Sequence, residues 1–257
     1  MTDVSVTRYA VIGHPVAHSR SPWIHARFAE QTGQAIAYEA IDCPPDGFAT
    51  TLQRLQKARY GGCNVTVPFK HEAAQCADSC SPRVHLAGAA NTLVLAQGRI
   101  HADNTDGLGL VADITRNADV PLAGRDVLLV GAGGAGAGVL GPLLEQGPRS
   151  LVVANRTLAR AQALVQSHLE LAALQKTKLL ALDLQGLDHD FDLIINATAS
   201  SLEGAGVPVP AQVLRPGSGV WHASGALAAD QLAPLAEQGI RLASAHPVMS
   251  FADPERA

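Results

Sequence analysis

Asp126-Val127-Leu128-Leu129-Val130-Gly131-Ala132-Gly133-Gly134-Ala135-Gly136 is the stretch that decides the reading of this chain. A short apolar run ends in glycines at 131, 133 and 136, and a helix-forming segment continues to Gln146. A lone G-x-G-x-x-G is weak evidence, but a strand before it and a helix after it are the context that the motif requires. The glycines permit a tight turn and a close backbone approach to a pyrophosphate, which rests on the positive end of the helix. Gly131, Ala132, Gly133, Gly134, Ala135 and Gly136 are therefore expected to form a dinucleotide-phosphate loop. The plainer alternative is a Gly/Ala-rich turn.

Downstream, Leu151 to Ala154 reads as a second strand and Leu158 to Ser167 as a helix. NAD-binding proteins usually place Asp or Glu about 20 residues past the loop, against the ribose hydroxyls. This chain carries Asn155-Arg156-Thr157 there, with Arg160 one turn later. A carboxylate would repel a 2′-phosphate, whereas arginine and neutral hydrogen-bonding groups suit it. NADP is expected over NAD, unless the two arginines are only solvated residues at a helix start. Leu179 to Leu182, Leu193 to Ile195 and Gly219 to Trp221 continue a doubly wound parallel sheet.

Upstream, short apolar runs again alternate with amphipathic ones, which makes the whole chain α/β. Tyr9 to Gly13, Ala35 to Ile41 and Gly61 to Val67 read as strands, and Phe48 to Ala58 as a helix. Ser21-Pro22 reads as an N-cap followed by proline at the first helical position, opening a helix through Phe28. An Ala-rich helical stretch follows Lys70. Asn91 to Ala96 and Arg99 to Ala102 form a hairpin across Gln97-Gly98, and a helix runs from Asp106 toward Thr115. The expected fold is an N-terminal α/β substrate domain, residues 1–105, followed by a Rossmann-type NADP-binding domain, residues 106–245. Residues 106–123 bridge the two domains, and residues 246–257 form an atypical tail.

The 257 residues are 47% hydrophobic and 16% charged, a globular balance with ample core. A net charge of −4 argues against a broad nucleic-acid face. No apolar run reaches the roughly 18 residues that a membrane span needs. Cys43, Cys63, Cys76 and Cys80 form no C-x-x-C pair, and the start has no leader-like run, so a cytoplasmic protein with free thiols is expected. No metal is expected. The expected partner is a small-molecule substrate, with a homodimer as the candidate assembly.

Two polar runs precede the glycine loop, one ending at Lys70 and one at Asp106. Lysine and aspartate rarely stay buried unless paired. Reduction of a ketone by hydride leaves an alkoxide that a Lys–Asp pair can stabilise and protonate. Either residue alone would read as a surface lysine or a capping aspartate. Ser19 and Ser21, entering a helix, can hold a carboxylate, although Ser21 alone could simply cap that helix. Asn64, Thr66, Asn91 and Asn104 are polar residues at strand ends, where α/β proteins bind ligands.

Taken in order, these runs resemble the shikimate dehydrogenase family. They are Gly13 to Pro22, Asn64 to Lys70, Ala87 to Thr92, Asn104 to Gly107, the Gly131 loop, Asn155 to Thr157 and Asn196-Ala197-Thr198. The resemblance implies NADPH-dependent reduction of 3-dehydroshikimate to shikimate. It implies that Ser19 and Ser21 hold the substrate carboxylate, and that Asn64, Thr66, Asn91 and Asp106 bind ring hydroxyls. It also implies that Lys70 and Asp106 are catalytic and that Thr198 lies near the nicotinamide. Quinate, or another cyclic polyol, is the alternative substrate. From about Trp221 the chain departs from the family: Trp221 to Gly225 replaces an Asp-Met-Tyr-like run, and an Asp-Gly-Leu-Gly-Met run is absent. The stretch from His222 to Phe251 resembles another Rossmann-type reductase family instead, which leaves a catalytically silent NADP-binding homologue as a further alternative.

Overall fold

The computed structural model describes residues 6–188, 190–198, 213–222 and 239–244. The altered segment from 223 to 238, and all of 245–257, lie outside the described residues. The chain divides into two compact units, the first ending at Thr105 and the second beginning at Asp106.

The first unit contains β1 (Thr7–Gly13), α1 (Ser21–Thr32), β2 (Ile36–Asp42), α2 (Phe48–Lys57) and β3 (Gly62–Val65). It continues with α3 (Lys70–Gln75), β4 (Ser79–Cys80), α4 (Pro82–Ala87), β5 (Thr92–Ala96) and β6 (Arg99–Asp103). Its mixed sheet runs β2-β1-β3-β5-β6-β4. β1 is parallel to β2 and β3, and β5 is antiparallel to β3 and β6. The hairpin turn uses Gln97 and Gly98, both at positive φ, the backbone that two-residue hairpins favour. Phe48 and Phe69 stack at 5.2 Å in a core that also buries Ile12, Leu52, Val65 and Leu93.

Three expectations need correction. Ser21 is the first residue of α1 and not its cap: the N-cap is Arg20, whose side chain makes no capping hydrogen bond. The third strand stops at Val65, because the Phe69 N–H closes a turn onto the Thr66 carbonyl. The Ala-rich stretch after Lys70 is broken into α3 and α4 by β4, with the Ser81 hydroxyl capping α4 through the Val84 N–H.

Antiparallel pairing brings the start of β5 to the C-terminal ends of β3 and β6, so that Thr92 lies opposite both Asn64 and Asp103. The turn after β6 is then fixed from several sides. Arg83 donates to both Asp103 oxygens, at 3.2 and 2.7 Å. The Ser81 hydroxyl (2.6 Å) and the Asn104 N–H (2.7 Å) also donate to that carboxylate. The fully buried Asn104 amide donates to the Ala89 carbonyl at 2.9 Å.

The second unit contains α5 (Asp106–Ala112), a π-helical turn (Asp113–Asn117), β7 (Asp126–Val130), α6 (Gly134–Leu144), β8 (Ser150–Asn155) and α7 (Leu158–Leu174). β9 (Lys178–Asp183), β10 (Phe191–Asn196), β11 (Leu214–His222) and β12 (Arg241–Ser244) complete an all-parallel sheet in the order β12-β11-β10-β7-β8-β9. That is the doubly wound order, with the switch point between β7 and β10. Trp221 and His222 take part as the end of β11. The helix from Asp106 ends its α geometry at Ala112, three residues earlier than the sequence suggests. Among the described residues no helix is long and apolar enough to cross a membrane, and no group of three or more His, Cys, Asp or Glu could hold a metal.

Two glycines of the loop are required by space. A Cβ on Gly136 would stand 2.1 Å from the Gly131 carbonyl oxygen, and one on Gly131, at φ +110, would stand 2.9 Å from the Ala197 carbonyl oxygen. Gly136→Ala is expected to cost roughly 1–3 kcal/mol, as overpacking against backbone does, and a urea melt measures it.

Burial alone would raise the Asp103 carboxyl, but the Arg83, Ser81 and Asn104 hydrogen bonds and the Arg83 charge outweigh it and hold the group below its usual range. Its stabilisation is therefore complete above the ordinary aspartate value of about 3.9 and disappears as pH falls through the lowered one. Asp103→Asn should lose stability at neutral pH, with the gap to wild type closing in acid. Melts at both pH values measure this, and a constant gap would contradict the assignment.

Candidate active site

In the first unit, the residues expected to bind substrate collect at one edge of the sheet. The Thr66 N–H reaches the Ile12 carbonyl and the His14 N–H the Val67 carbonyl, both at 2.9 Å, which extends the β1–β3 pairing into the two loops. That pairing sets the loop carrying Ser19 and Ser21 beside the loop leading to Lys70. A Cβ on Gly13 would stand 2.4 Å from the Thr66 side chain, so glycine is needed for that approach. The Ser19 hydroxyl accepts from the Ser21 N–H at 3.3 Å. The Ser21 hydroxyl, not being a cap, lies instead beside the Tyr38 phenol. Lys70 is half-buried in the first turn of α3, and its carbonyl accepts from the Ala90 N–H at 2.8 Å, tying it to the residue before Asn91.

A chain of hydrogen bonds links these residues. The Asn91 Oδ1 accepts from the Thr105 N–H (2.9 Å) and the Thr92 hydroxyl (2.9 Å), while its Nδ2 donates to the Thr105 hydroxyl (3.0 Å). Asn64 Nδ2 donates to the Thr92 hydroxyl (3.3 Å) and the Asn91 carbonyl (3.4 Å). Tyr38 donates from its hydroxyl to Asn64 Oδ1 at 2.7 Å. Its ring stacks on buried His25 at 4.0 Å, and His25 Nδ1 donates to the Ser21 carbonyl at 2.9 Å. Burial lowers the His25 imidazole against the opposing pull of that bond, so the ring is neutral at pH 7. Burial, with the Cys63 thiol adding to it, raises the Tyr38 phenol above its ordinary value, while the adjacent Ser21 hydroxyl opposes the rise. Tyr38 therefore stays a neutral donor.

Tyr38, Thr92 and Thr105 were not apparent from sequence. Thr92 and Thr105 sit inside the quoted polar runs, which was a usable signal. Tyr38 has only the alternation of a half-buried strand around it.

In the second unit, α6 begins at Gly134 with Gly133 as N-cap and no side-chain cap. Space is open where a Gly133 Cβ would point, so the first-turn N–H groups have room for an anion. Asn155 Oδ1 accepts from the Ala132 N–H at 3.2 Å and Asn155 Nδ2 donates to the Thr157 carbonyl at 2.9 Å. One side chain thereby fixes the glycine loop to the turn after β8. Arg156, Thr157 and Arg160 are all exposed there. The Gly131 approach to Ala197 brings Asn196-Ala197-Thr198 to the same loop, and the Asn196 carboxamide oxygen accepts from the Thr198 N–H (3.1 Å) and hydroxyl (2.7 Å). Asp106, 9% exposed, opens α5 in this unit. The next residue, Gly107, is packed so tightly that a Cβ would stand 2.5 Å from the Pro142 side chain and 2.7 Å from the Gly138 carbonyl oxygen of α6. These residues fit a phosphorylated dinucleotide.

Comparison with known proteins places the chain among its relatives. A family model described as the shikimate dehydrogenase substrate binding domain matches residues 11–93, and one described as shikimate / quinate 5-dehydrogenase matches residues 113–203. The chain is similar to the shikimate dehydrogenase (NADP(+)) of Acidovorax sp. (strain JS42), at 71% identity over 82% of this chain and 74% of that one. It is similar to that of Acidovorax ebreus (strain TPSY) at 66% identity, over 93% of this chain and 82% of the relative. The crystal structure of shikimate 5-dehydrogenase from Thermus thermophilus in complex with NADP(H) and shikimate matches with a TM-score of 0.78 at 31% identity, covering 92% and 86% of the two chains. With each half matched by its own part of the family and identity this high along most of its length, the chain belongs to the shikimate dehydrogenase family.

Proposed function

We propose that this chain reduces 3-dehydroshikimate to shikimate with NADPH. The observation that carries the reading is the cluster of amides and hydroxyls around Asn91, with Lys70 tied to its rim through Ala90. Such a cluster suits a small ring bearing hydroxyls and a carboxylate. Family membership and the arginine-bearing turn after β8 support the cofactor half.

In this reading, residues 1–105 bind substrate and residues 106–245 bind NADP. Ser19 and Ser21 hold the carboxylate, and Asn64, Thr66, Asn91 and Asp106 engage the ring hydroxyls. NADPH supplies the hydride. Lys70 delivers a proton to the oxygen of the former ketone, and Asp106 is the carboxylate that orients the ammonium. The backbone from Gly131 to Gly136 takes the pyrophosphate, and Arg156 with Asn155, Thr157 and Arg160 takes the 2′-phosphate. Thr198 lines the nicotinamide half. A cytoplasmic setting and a homodimer complete the proposal. Quinate is the second substrate to assay, because the matching family description names both.

Lys70→Ala should lower kcat roughly 10²–10⁴-fold, the usual worth of general acid catalysis, in a shikimate-plus-NADP assay read at the nicotinamide band. Near-normal turnover would remove Lys70 from the mechanism. Arg156→Ala should weaken NADPH by about tenfold or more, the worth of one charge-assisted hydrogen bond, and leave NADH nearly unchanged. Equal losses for both cofactors, measured by fluorescence titration, would remove the 2′-phosphate assignment.

A further inference from the structure

We infer that Tyr38 is a positioning residue that sets Ser21 and Asn64 for the substrate at the same time, and this rests on the proposed shikimate chemistry. Tyr38 lies on β2, across β1 from the strand that carries Asn64. Its hydroxyl nevertheless reaches Asn64 Oδ1 at 2.7 Å.

That bond holds the oxygen side of the Asn64 amide. The Asn91 carbonyl can only accept, so Nδ2 points toward it and toward Thr92, donating at 3.4 and 3.3 Å, and Oδ1 is left to the phenol, which therefore donates. Without the phenol, Oδ1 loses its donor and the Asn64 side chain loses its anchor at the position facing the ring hydroxyls. The phenol oxygen, its own proton committed to Asn64, keeps lone pairs for the adjacent Ser21 hydroxyl. Ser21 donates its one proton there, and the O–H must swing from the phenol to a carboxylate when one arrives. The ring has little freedom to vary: His25 stacks on it at 4.0 Å with planes 8° apart, and the same His25 donates to the Ser21 carbonyl at 2.9 Å. One tyrosine thus joins the serine that would meet the carboxylate to the asparagine that would meet the hydroxyls.

Tyr38→Phe tests this, because it keeps the ring stacked on His25 and removes only the hydroxyl. The expected result is a KM for shikimate raised about 5- to 20-fold, the worth of one to two hydrogen bonds, with kcat within about threefold. The KM for NADP should not change, and the melting temperature should fall by no more than the few degrees that one hydrogen bond is worth. A merely structural tyrosine would lower the melting temperature further and disturb both KM values together, and that outcome would overturn the inference. In a double-mutant cycle with Asn64→Ala, the two effects on shikimate KM should be less than additive, and full additivity would also overturn it. If the wild-type chain turns over shikimate and Tyr38→Phe matches it, this inference alone fails. If the wild-type chain does not turn over shikimate at all, the proposed function fails and takes this inference with it.

Discussion

Asn91 is 8% exposed, and its side chain is held by hydrogen bonds on both sides: it accepts from the Thr105 N–H and hydroxyl and from the Thr92 hydroxyl, and it donates to the Thr105 hydroxyl. A buried amide that loses such partners pays a desolvation penalty of about 1–3 kcal/mol, so the geometry around it is strongly preferred over alternatives. The bonds join the start of β5 to the turn after β6. They fix where Asn104-Thr105 ends and, through Thr92, where Asn64 sits. Lys70 is attached to the same point by the Ala90 N–H. Much of the polar edge of the first unit is thus arranged around one side chain, and the Asp103–Arg83 pair secures the turn from below.

The second unit relies on sterics more than on polar bonds. Gly136 and Gly131 allow backbone contacts that any side chain would block, and Gly107 does the same between α5 and α6. Asn155 then locks the glycine loop to the turn that carries Arg156. The glycine loop is built from backbone shape, while the polar cluster of the first unit is built from a side-chain network. The two halves should therefore differ in how they tolerate substitution: volume matters most in one and donor–acceptor pattern in the other.

The glycine loop, the parallel strands and the hairpin were legible because each depends on local pattern: an apolar run into glycines, period-two alternation, and a Gln-Gly turn. Six of the polar residues were legible as a group for the same reason, since Ser19, Ser21, Asn64, Thr66, Lys70 and Asn91 stand in short runs at element ends. Tyr38 was not legible. Its importance comes from reaching across β1 to Asn64, and sequence spacing does not encode contacts between strands 26 residues apart. The reading of Ser21 as a cap failed at the level of a single turn. Arg20 already has helical backbone angles, so the helix begins one residue early and the serine hydroxyl is left for other work.

β2 is one of the two edge strands of the first sheet, paired among the described residues only with β1. Edge strands open locally at a lower free energy than the strands they border. Tyr38 therefore ties the proposed recognition of substrate to one of the two edge strands of that sheet. In each open interval Asn64 and Ser21 lose their common reference, and the fraction of molecules competent to bind falls accordingly. By linkage, an occupied substrate site must in turn suppress that opening. The exchange rate of the β2 amide protons thus becomes a meter of ligand occupancy at residues that touch no ligand.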